Sequence, residues 1–135
     1  MSAEKPTILV VDDDPELLQL VRILLARAGF EALTALDVPA ARTMLSSGSL
    51  PDVLVLDIML PGVSGIEFLE ELRAIADFDS LPILMLSALA DQQQIRAALD
   101  RGADRYLTKP YVASSLVSMV REILSSERGA RSSAR

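Results

Sequence analysis

Three carboxylates stand in a row near the start of the chain, in the stretch VVDDDP at positions 10–15. Proline suits the first position of a helix and aspartate suits the cap before it, so we interpret Asp14 as an N-cap. Asp12 and Asp13 would repel each other and lose hydration at the end of a buried strand, unless a cation or a basic group faces them. The pair therefore predicts a site for positive charge.

Other reactive side chains end apolar runs further along the chain. Asp57 ends VLVLD, Ser87 ends PILMLS, and Lys109 follows DRYLT. Carboxylates with water suit a hard cation such as Mg²⁺, and a carboxylate beside a metal can act as a nucleophile and form an aspartyl phosphate. We predict Asp57 as this nucleophile, with Lys109 and Ser87 binding phosphoryl oxygens. Taken singly, the three residues could instead be a strand-end cap, a surface charge and a helix N-cap.

Strand-like and helix-like segments alternate along the whole chain. The strand candidates are 7–11, 31–36, 52–57, 81–87 and 104–110. Helical patterns follow them, the third running to about Ala76 and the fourth spanning 91–102. Such alternation predicts an α/β fold with a doubly wound, parallel five-stranded sheet. Right-handed crossovers bring the carboxyl ends of all five strands to one edge, so we expect the reactive side chains to meet there.

Composition limits the function further. The chain has 135 residues, half of them apolar, which predicts one domain at 7–126, after a leader at 1–6 and before a flexible basic tail or linker start at 127–135. Without cysteine or histidine, thiolate and imidazole chemistry must come from a partner. The net charge of -6 disfavours direct nucleic-acid binding. With no membrane-spanning run or signal peptide, we expect a cytoplasmic protein.

The sequence resembles the response-regulator receiver domains of two-component signalling over residues 6–126. The segments ILVVDDDP, PDVLVLDIMLPGVSG, PILMLSA and GADRYLTKPY stand in the order and spacing of that family. The resemblance implies a flavodoxin-like (βα)5 fold with the strand order 2-1-3-4-5. It also implies that Asp57 is the phosphoacceptor, and that Asp12, Asp13 and Asp57 bind Mg²⁺ together with the backbone carbonyl of Met59.

The resemblance also assigns a switch. Ser87 corresponds to the hydroxyl that moves toward the phosphoryl group, and Lys109 to its salt-bridging partner. Tyr106 corresponds to the aromatic residue that rotates inward, and Lys109–Pro110 to a cis peptide bond, which proline alone allows at low cost. On this basis, phosphorylation changes the surface formed by the fourth helix, the last strand and the last helix.

The predicted function is that of a signalling switch, not an enzyme acting on a separate substrate. Its phosphodonor would be a sensor histidine kinase or a histidine phosphotransfer protein, and its target a downstream protein or its own output domain. Homodimerisation is left open. A receiver joined to a DNA-binding or enzymatic output domain is the main alternative. A small haloacid-dehalogenase-type phosphatase is a remote one, since Asp12-x-Asp14 mimics its opening motif but Pro15 and Glu16 do not fit it.

Overall fold

The computed structural model describes residues 5–48, 50–88 and 91–126, so most of the predicted leader and all of the predicted tail lie outside the described residues. The strands are β1 (Thr7–Val11), β2 (Glu31–Ala35), β3 (Val53–Asp57), β4 (Ile83–Ser87) and β5 (Arg105–Thr108). The helices are α1 (Pro15–Arg27), α2 (Val38–Ser46), α3 (Gly65–Arg73), α4 (Gln92–Asp100) and α5 (Val112–Leu124). Within these ranges, none of the helices has the length and apolar character that crossing a membrane requires.

All five strands are parallel and lie in the order β2-β1-β3-β4-β5, which confirms the predicted fold. Helices α1 to α4 therefore cross over from one parallel strand to the next, and every strand ends at the same edge. The register places Asp57 beside Leu86 and Ser87 beside Thr108. The ends of β3, β4 and β5 thus lie within one residue of one another in register.

Side chains alternate between the two faces of the sheet and fill a separate core on each. Leu54 and Leu56 of β3 face one cluster, which also contains Phe68 and Leu69 of α3. Val53 and Val55 face the other cluster, which is completed by α1 and α5. Because β3 and β4 are buried on both faces, they are apolar up to their last residues, where Asp57 and Ser87 stand.

Helices α1 to α4 begin at capping side chains that the sequence supplies, whereas α5 begins without one. Asp14 caps α1, as predicted, and Asp37 caps α2. Ser64 opens α3 in a capping box, and Asp91 caps α4. The N-cap alternative for Ser87 is therefore wrong, because α4 starts several residues later.

Several predicted elements are longer than the observed ones by one or more residues, and at two of them a 3₁₀ turn lies near the observed end. The third helix ends at Arg73 instead of about Ala76, and a 3₁₀ turn follows over Ala76–Phe78. The predicted last strand, 104–110, shortens to β5, and Lys109–Tyr111 forms a 3₁₀ turn that leads into α5. Proline has no backbone N–H to donate to a sheet, so Pro110 ends the pairing.

The expected cis peptide bond at Lys109–Pro110 is wrong. Every peptide bond among the described residues is trans, this one included. The trans isomer is the more stable form of an X–Pro bond by about 0.5–1 kcal/mol, so nothing in the sequence alone requires the cis form. The trans turn still directs Lys109 toward the carboxylates at the sheet edge.

At the opposite edge of the sheet, the Arg73 side chain contacts the segments that lead into β4 and β5. Its guanidinium donates to the carbonyls of Gly102 and Phe78 at 3.0 and 2.9 Å and forms a 3.2 Å ion pair with Asp104. The same Asp104 oxygen accepts from the N–H of Ile83 at 2.8 Å, where β4 begins. The cluster fixes the positions at which β4 and β5 start.

Replacing Asp104 with alanine is expected to lower the free energy of unfolding by about 1–3 kcal/mol, because it removes the partner of a largely buried guanidinium and the acceptor of a backbone N–H. Urea unfolding measures this loss. Asp100→Ala is the control, since Asp100 is exposed on α4, and it should change stability by less than about 0.5 kcal/mol. Equal losses in the two variants would contradict the assignment.

Candidate functional site

The carboxyl edge of the sheet gathers the polar residues that the sequence singles out. Asp12 follows β1, Asp57 ends β3, Ser87 ends β4 and Lys109 follows β5. Among the described residues, the buried polar side chains are those of Asp12, Asp57 and Ser87, each at most 1% exposed. Burying a polar group costs free energy unless partners compensate it, so this edge is where the fold tolerates such a cost.

Lys109 lies between the two buried carboxylates. Its Nζ is 3.1 Å from Oδ2 of Asp12 and 3.1 Å from Oδ2 of Asp57. The Lys109 side chain is only 25% exposed, so the alternative of a solvated surface charge does not describe it. One ammonium group thus compensates two carboxylates that would otherwise repel each other.

The second oxygen of each carboxylate is held by the loop that follows its strand. Oδ1 of Asp12 accepts a hydrogen bond from the N–H of Asp14 at 2.9 Å. Oδ1 of Asp57 accepts from the N–H of Met59 at 3.2 Å. Both carboxylates are therefore oriented in the same way, with one oxygen fixed by backbone and the other directed toward Lys109.

Burial and the nearby charge of Asp12 raise the pKa of Asp57 above its usual range, and Lys109 offsets only part of this effect. For Lys109, burial alone would lower the pKa, but its close contacts with the Asp12 and Asp57 carboxylates outweigh burial and raise the pKa. The ammonium group therefore stays protonated at neutral pH. The site keeps an excess of negative charge that Lys109 does not balance.

A hard cation fits this excess. Asp12, Asp13 and Asp57 each offer a carboxylate oxygen, and these oxygens lie within 4.8 Å of one another. Oδ2 of Asp12 is buried and accepts no well-directed hydrogen bond from any described residue, although it contacts Lys109. Oxygen donors of this kind suit Mg²⁺. The backbone carbonyl of Met59 stays a predicted ligand.

Gly65 lets α3 approach the end of β3, a role that the sequence analysis missed. A Cβ atom at this position would collide with the carbonyl oxygen of Asp57 and lie 2.8 Å from its carbonyl carbon. The N–H of Gly65 donates to the carbonyl of Ile58 at 2.9 Å. A glycine immediately after a helix cap was the available signal, because glycine is otherwise unfavourable inside a helix.

Ser87 and Tyr106 share an acceptor. The Ser87 hydroxyl donates to Oε1 of Gln94 at 3.3 Å, and the Tyr106 hydroxyl donates to the same oxygen at 3.3 Å. Tyr106 is half-buried and packs against the α3 side of the core. Gln94 was not singled out from the sequence, since it is one of three consecutive glutamines and its inward orientation depends on where α4 begins.

Replacing Gly65 with alanine should displace the start of α3 or the end of β3 and lower the free energy of unfolding by about 1–3 kcal/mol, because the added methyl group meets backbone atoms. Urea unfolding and ¹⁵N NMR shifts of residues 57–59 test this. Gly29→Ala is the control, since its positive φ costs stability but the new methyl group meets nothing within 4 Å. Changes in the ¹⁵N shifts of residues 57–59 in Gly29→Ala but not in Gly65→Ala would contradict the role assigned to Gly65.

Replacing Asp57 with asparagine should stabilise the metal-free protein at neutral pH by about 1 kcal/mol. Because its pKa is raised in the folded state, the folded protein binds the proton more tightly, and stability falls as the pH rises through that pKa. The advantage of the variant should therefore be complete above the raised pKa and shrink steadily as the pH falls toward about 4. Urea unfolding from pH 4 to 8 tests this, with exposed Asp100→Asn as the control. A pH-independent difference would refute it.

Comparisons with known proteins identify the family of the chain. The family model for the response regulator receiver domain matches residues 8–121. The phosphate regulon transcriptional regulatory protein PhoB of Rhizobium meliloti is 41% identical over 119 residues, covering 88% of this chain and 52% of that protein. The DNA-binding dual master transcriptional regulator RpaA of Synechocystis is 39% identical over 119 residues, covering 88% and 49%. The chain thus spans about half the length of these relatives.

Solved structures show the same fold. The receiver domain of a Francisella response regulator is 30% identical, with a TM-score of 0.82 over 90% of this chain and 98% of that one. The chemotaxis protein CheY4 of Vibrio cholerae is 28% identical, with a TM-score of 0.83 over 90% and 100%. This chain therefore belongs to the response regulator receiver domain family of two-component signalling.

Proposed function

We propose that the domain receives a phosphoryl group on Asp57 from a phosphohistidine of a partner protein and acts as a signalling switch. The observation that carries the proposal is the position of the Asp57 carboxylate, which is buried at the carboxyl edge of the sheet and contacts Lys109 beside Asp12 and Asp13. This is a negatively charged nucleophile held next to both a cation-binding cluster and a fixed ammonium group.

In the proposed step, an oxygen of Asp57 forms a bond to phosphorus while the bond between phosphorus and the imidazole nitrogen of the donor breaks. The imidazole leaves with the electron pair of that bond and takes up a proton. This chain contains no histidine, so the donor imidazole comes from a sensor kinase or a histidine phosphotransfer protein. A small phosphodonor such as acetyl phosphate would supply the same group.

The chain's own residues orient the reacting group and balance its charge. The N–H of Met59 holds one Asp57 oxygen, and Lys109, already next to the other, would pair with a phosphoryl oxygen. Ser87 ends the neighbouring strand and would donate to another phosphoryl oxygen. Asp12, Asp13 and Asp57, with the carbonyl of Met59, would hold Mg²⁺, which when bound supplies positive charge to the incoming phosphoryl group.

The output of the switch is a change in the surface of α4, β5 and α5. Recruitment of Ser87 and Lys109 to the phosphoryl group would alter their present contacts, and Tyr106 would follow, a local charge event biasing a two-state element. Pro110 joins Lys109 to α5 through the 3₁₀ turn. We place this switching in the cytoplasm, as the sequence predicts, with a downstream protein as the recipient.

The relatives support a second proposal, in which the receiver is joined to an output domain. PhoB of Rhizobium meliloti and RpaA of Synechocystis are named as transcriptional regulators, and the matched region is about half of each. The corresponding proposal is that this receiver controls a DNA-binding output domain in the same polypeptide. The length of the encoded protein distinguishes this arrangement from a separate downstream partner. The family assignment gives no support to the phosphatase alternative.

Incubation with acetyl phosphate and Mg²⁺ is expected to add one phosphoryl group, seen as an increase in intact mass. Asp57→Asn removes the nucleophile, and omission of Mg²⁺ removes the compensating charge, so both should abolish the added mass. Asp37→Asn is the matched control and should behave like the wild type, because asparagine is an equally good N-cap for α2.

Retention of the adduct in Asp57→Asn would place the modification on another residue and overturn the assignment. Absence of an adduct from the wild-type protein with both acetyl phosphate and a phosphorylated histidine phosphotransfer protein would overturn the function itself. In that case the domain would be an unphosphorylated binding module.

A further inference from the structure

We propose that Gln94 is a positioning residue that holds Ser87 and Tyr106 in the unphosphorylated arrangement and links the movement of one to the other. The inference rests on the proposed function, because it concerns how phosphorylation of Asp57 is sensed. It depends on one shared contact, in which Oε1 of Gln94 accepts from both hydroxyl groups at 3.3 Å.

The three residues come from three different elements of the fold. Ser87 is the buried last residue of β4, Tyr106 lies in β5, and Gln94 lies in the first turns of α4. The side chain of Gln94 is half-buried, and it points back toward the sheet, unlike exposed Gln93 on the same helix. The amide oxygen therefore connects a strand that ends at the active site to the helix and strand whose surface is proposed to change.

Gln94 and a phosphoryl oxygen on Asp57 would compete for the one proton that the Ser87 hydroxyl can donate. An amide oxygen has two lone pairs and can accept from both hydroxyls at once, but a serine hydroxyl has a single proton to donate. Ser87 can therefore donate to Gln94 or to a phosphoryl oxygen on Asp57, and not fully to both. When Ser87 turns toward the phosphoryl group, Gln94 loses one of its two donors.

The loss of the Ser87 hydrogen bond weakens the attachment of Gln94 to the sheet. Gln94 is then held to the sheet by the Tyr106 hydroxyl through one bond where there were two. The first turns of α4 and the Tyr106 ring become easier to rearrange together. The phosphorylation signal thus passes from Ser87 to Tyr106 through one side chain of α4.

Substitution of Gln94 with methionine removes the acceptor while keeping the length of the side chain. At a fixed concentration of acetyl phosphate and Mg²⁺, the ratio of phosphorylated to unphosphorylated protein should rise about two- to tenfold, the effect expected from losing competing neutral hydrogen bonds. Gln93→Met is the matched control, because Gln93 is an exposed neighbour on the same helix, and it should leave the ratio unchanged.

A second measurement needs no phosphorylation. The chain has two tyrosines and no tryptophan, so in a Tyr111→Phe background the tyrosine fluorescence comes from Tyr106 alone. Ser87→Ala should change the acrylamide quenching of this fluorescence when Gln94 is present, and should have no further effect once Gln94→Met is introduced. Such a double-mutant cycle isolates the coupling that passes through Gln94.

The two measurements separate the inference from the function on which it rests. A raised ratio in Gln94→Met, together with coupling that disappears in that variant, supports the inference. An unchanged ratio, or Ser87–Tyr106 coupling that survives Gln94→Met, overturns it even if Asp57 is phosphorylated normally. If the wild-type protein forms no adduct but the coupling depends on Gln94, the link between the residues stands and the proposed function fails.

Discussion

The structure depends on placing two carboxylates and one ammonium group in a buried position at the end of a parallel sheet. Asp12 and Asp57 are almost completely buried, and each lies 3.1 Å from the same Lys109 nitrogen. Removing such charges from water is costly, and the pair is stable in the fold only because the ammonium group and two loop N–H groups contact it. The apolar core on both faces of β1, β3 and β4 supplies the stability that offsets this cost.

The sheet also divides the interior into two cores that serve different parts of the domain. One core joins β1 and β3 to α3, and Tyr106 packs against its edge. The other joins the same strands to α1 and α5. Gln94 and Tyr106 stand on the first side, so a rearrangement of α4 and β5 can occur while α1 keeps its packing on the second. The sheet thus separates the proposed rearrangement of α4 from the packing of α1.

The sequence predicts the positions of the site residues because parallel topology converts strand ends into neighbours. Asp12, Asp57 and Lys109 could be placed at one edge once the apolar runs before them were recognised as strands. For Gly65 the sequence offers only a weak signal, a glycine directly after a helix cap, and this signal does not reveal which backbone carbonyl the helix start approaches. The isomer at Lys109–Pro110 could not be predicted, since the two forms differ by about 0.5–1 kcal/mol and tertiary context selects between them.

The arrangement around Lys109 has a consequence for how far a signal can travel. The three aspartates and the lysine together carry a formal charge of about minus two, and conversion of the Asp57 carboxylate to an acyl phosphate exchanges one negative charge for roughly two. The net charge of the chain, already -6, changes by little, and salt screens the added charge beyond about 8–10 Å. A partner at the far side of the molecule would not sense such a change electrostatically. On the proposed function, recognition of the phosphorylated form therefore has to be short-range and stereochemical, through direct contact with the surface that is proposed to change.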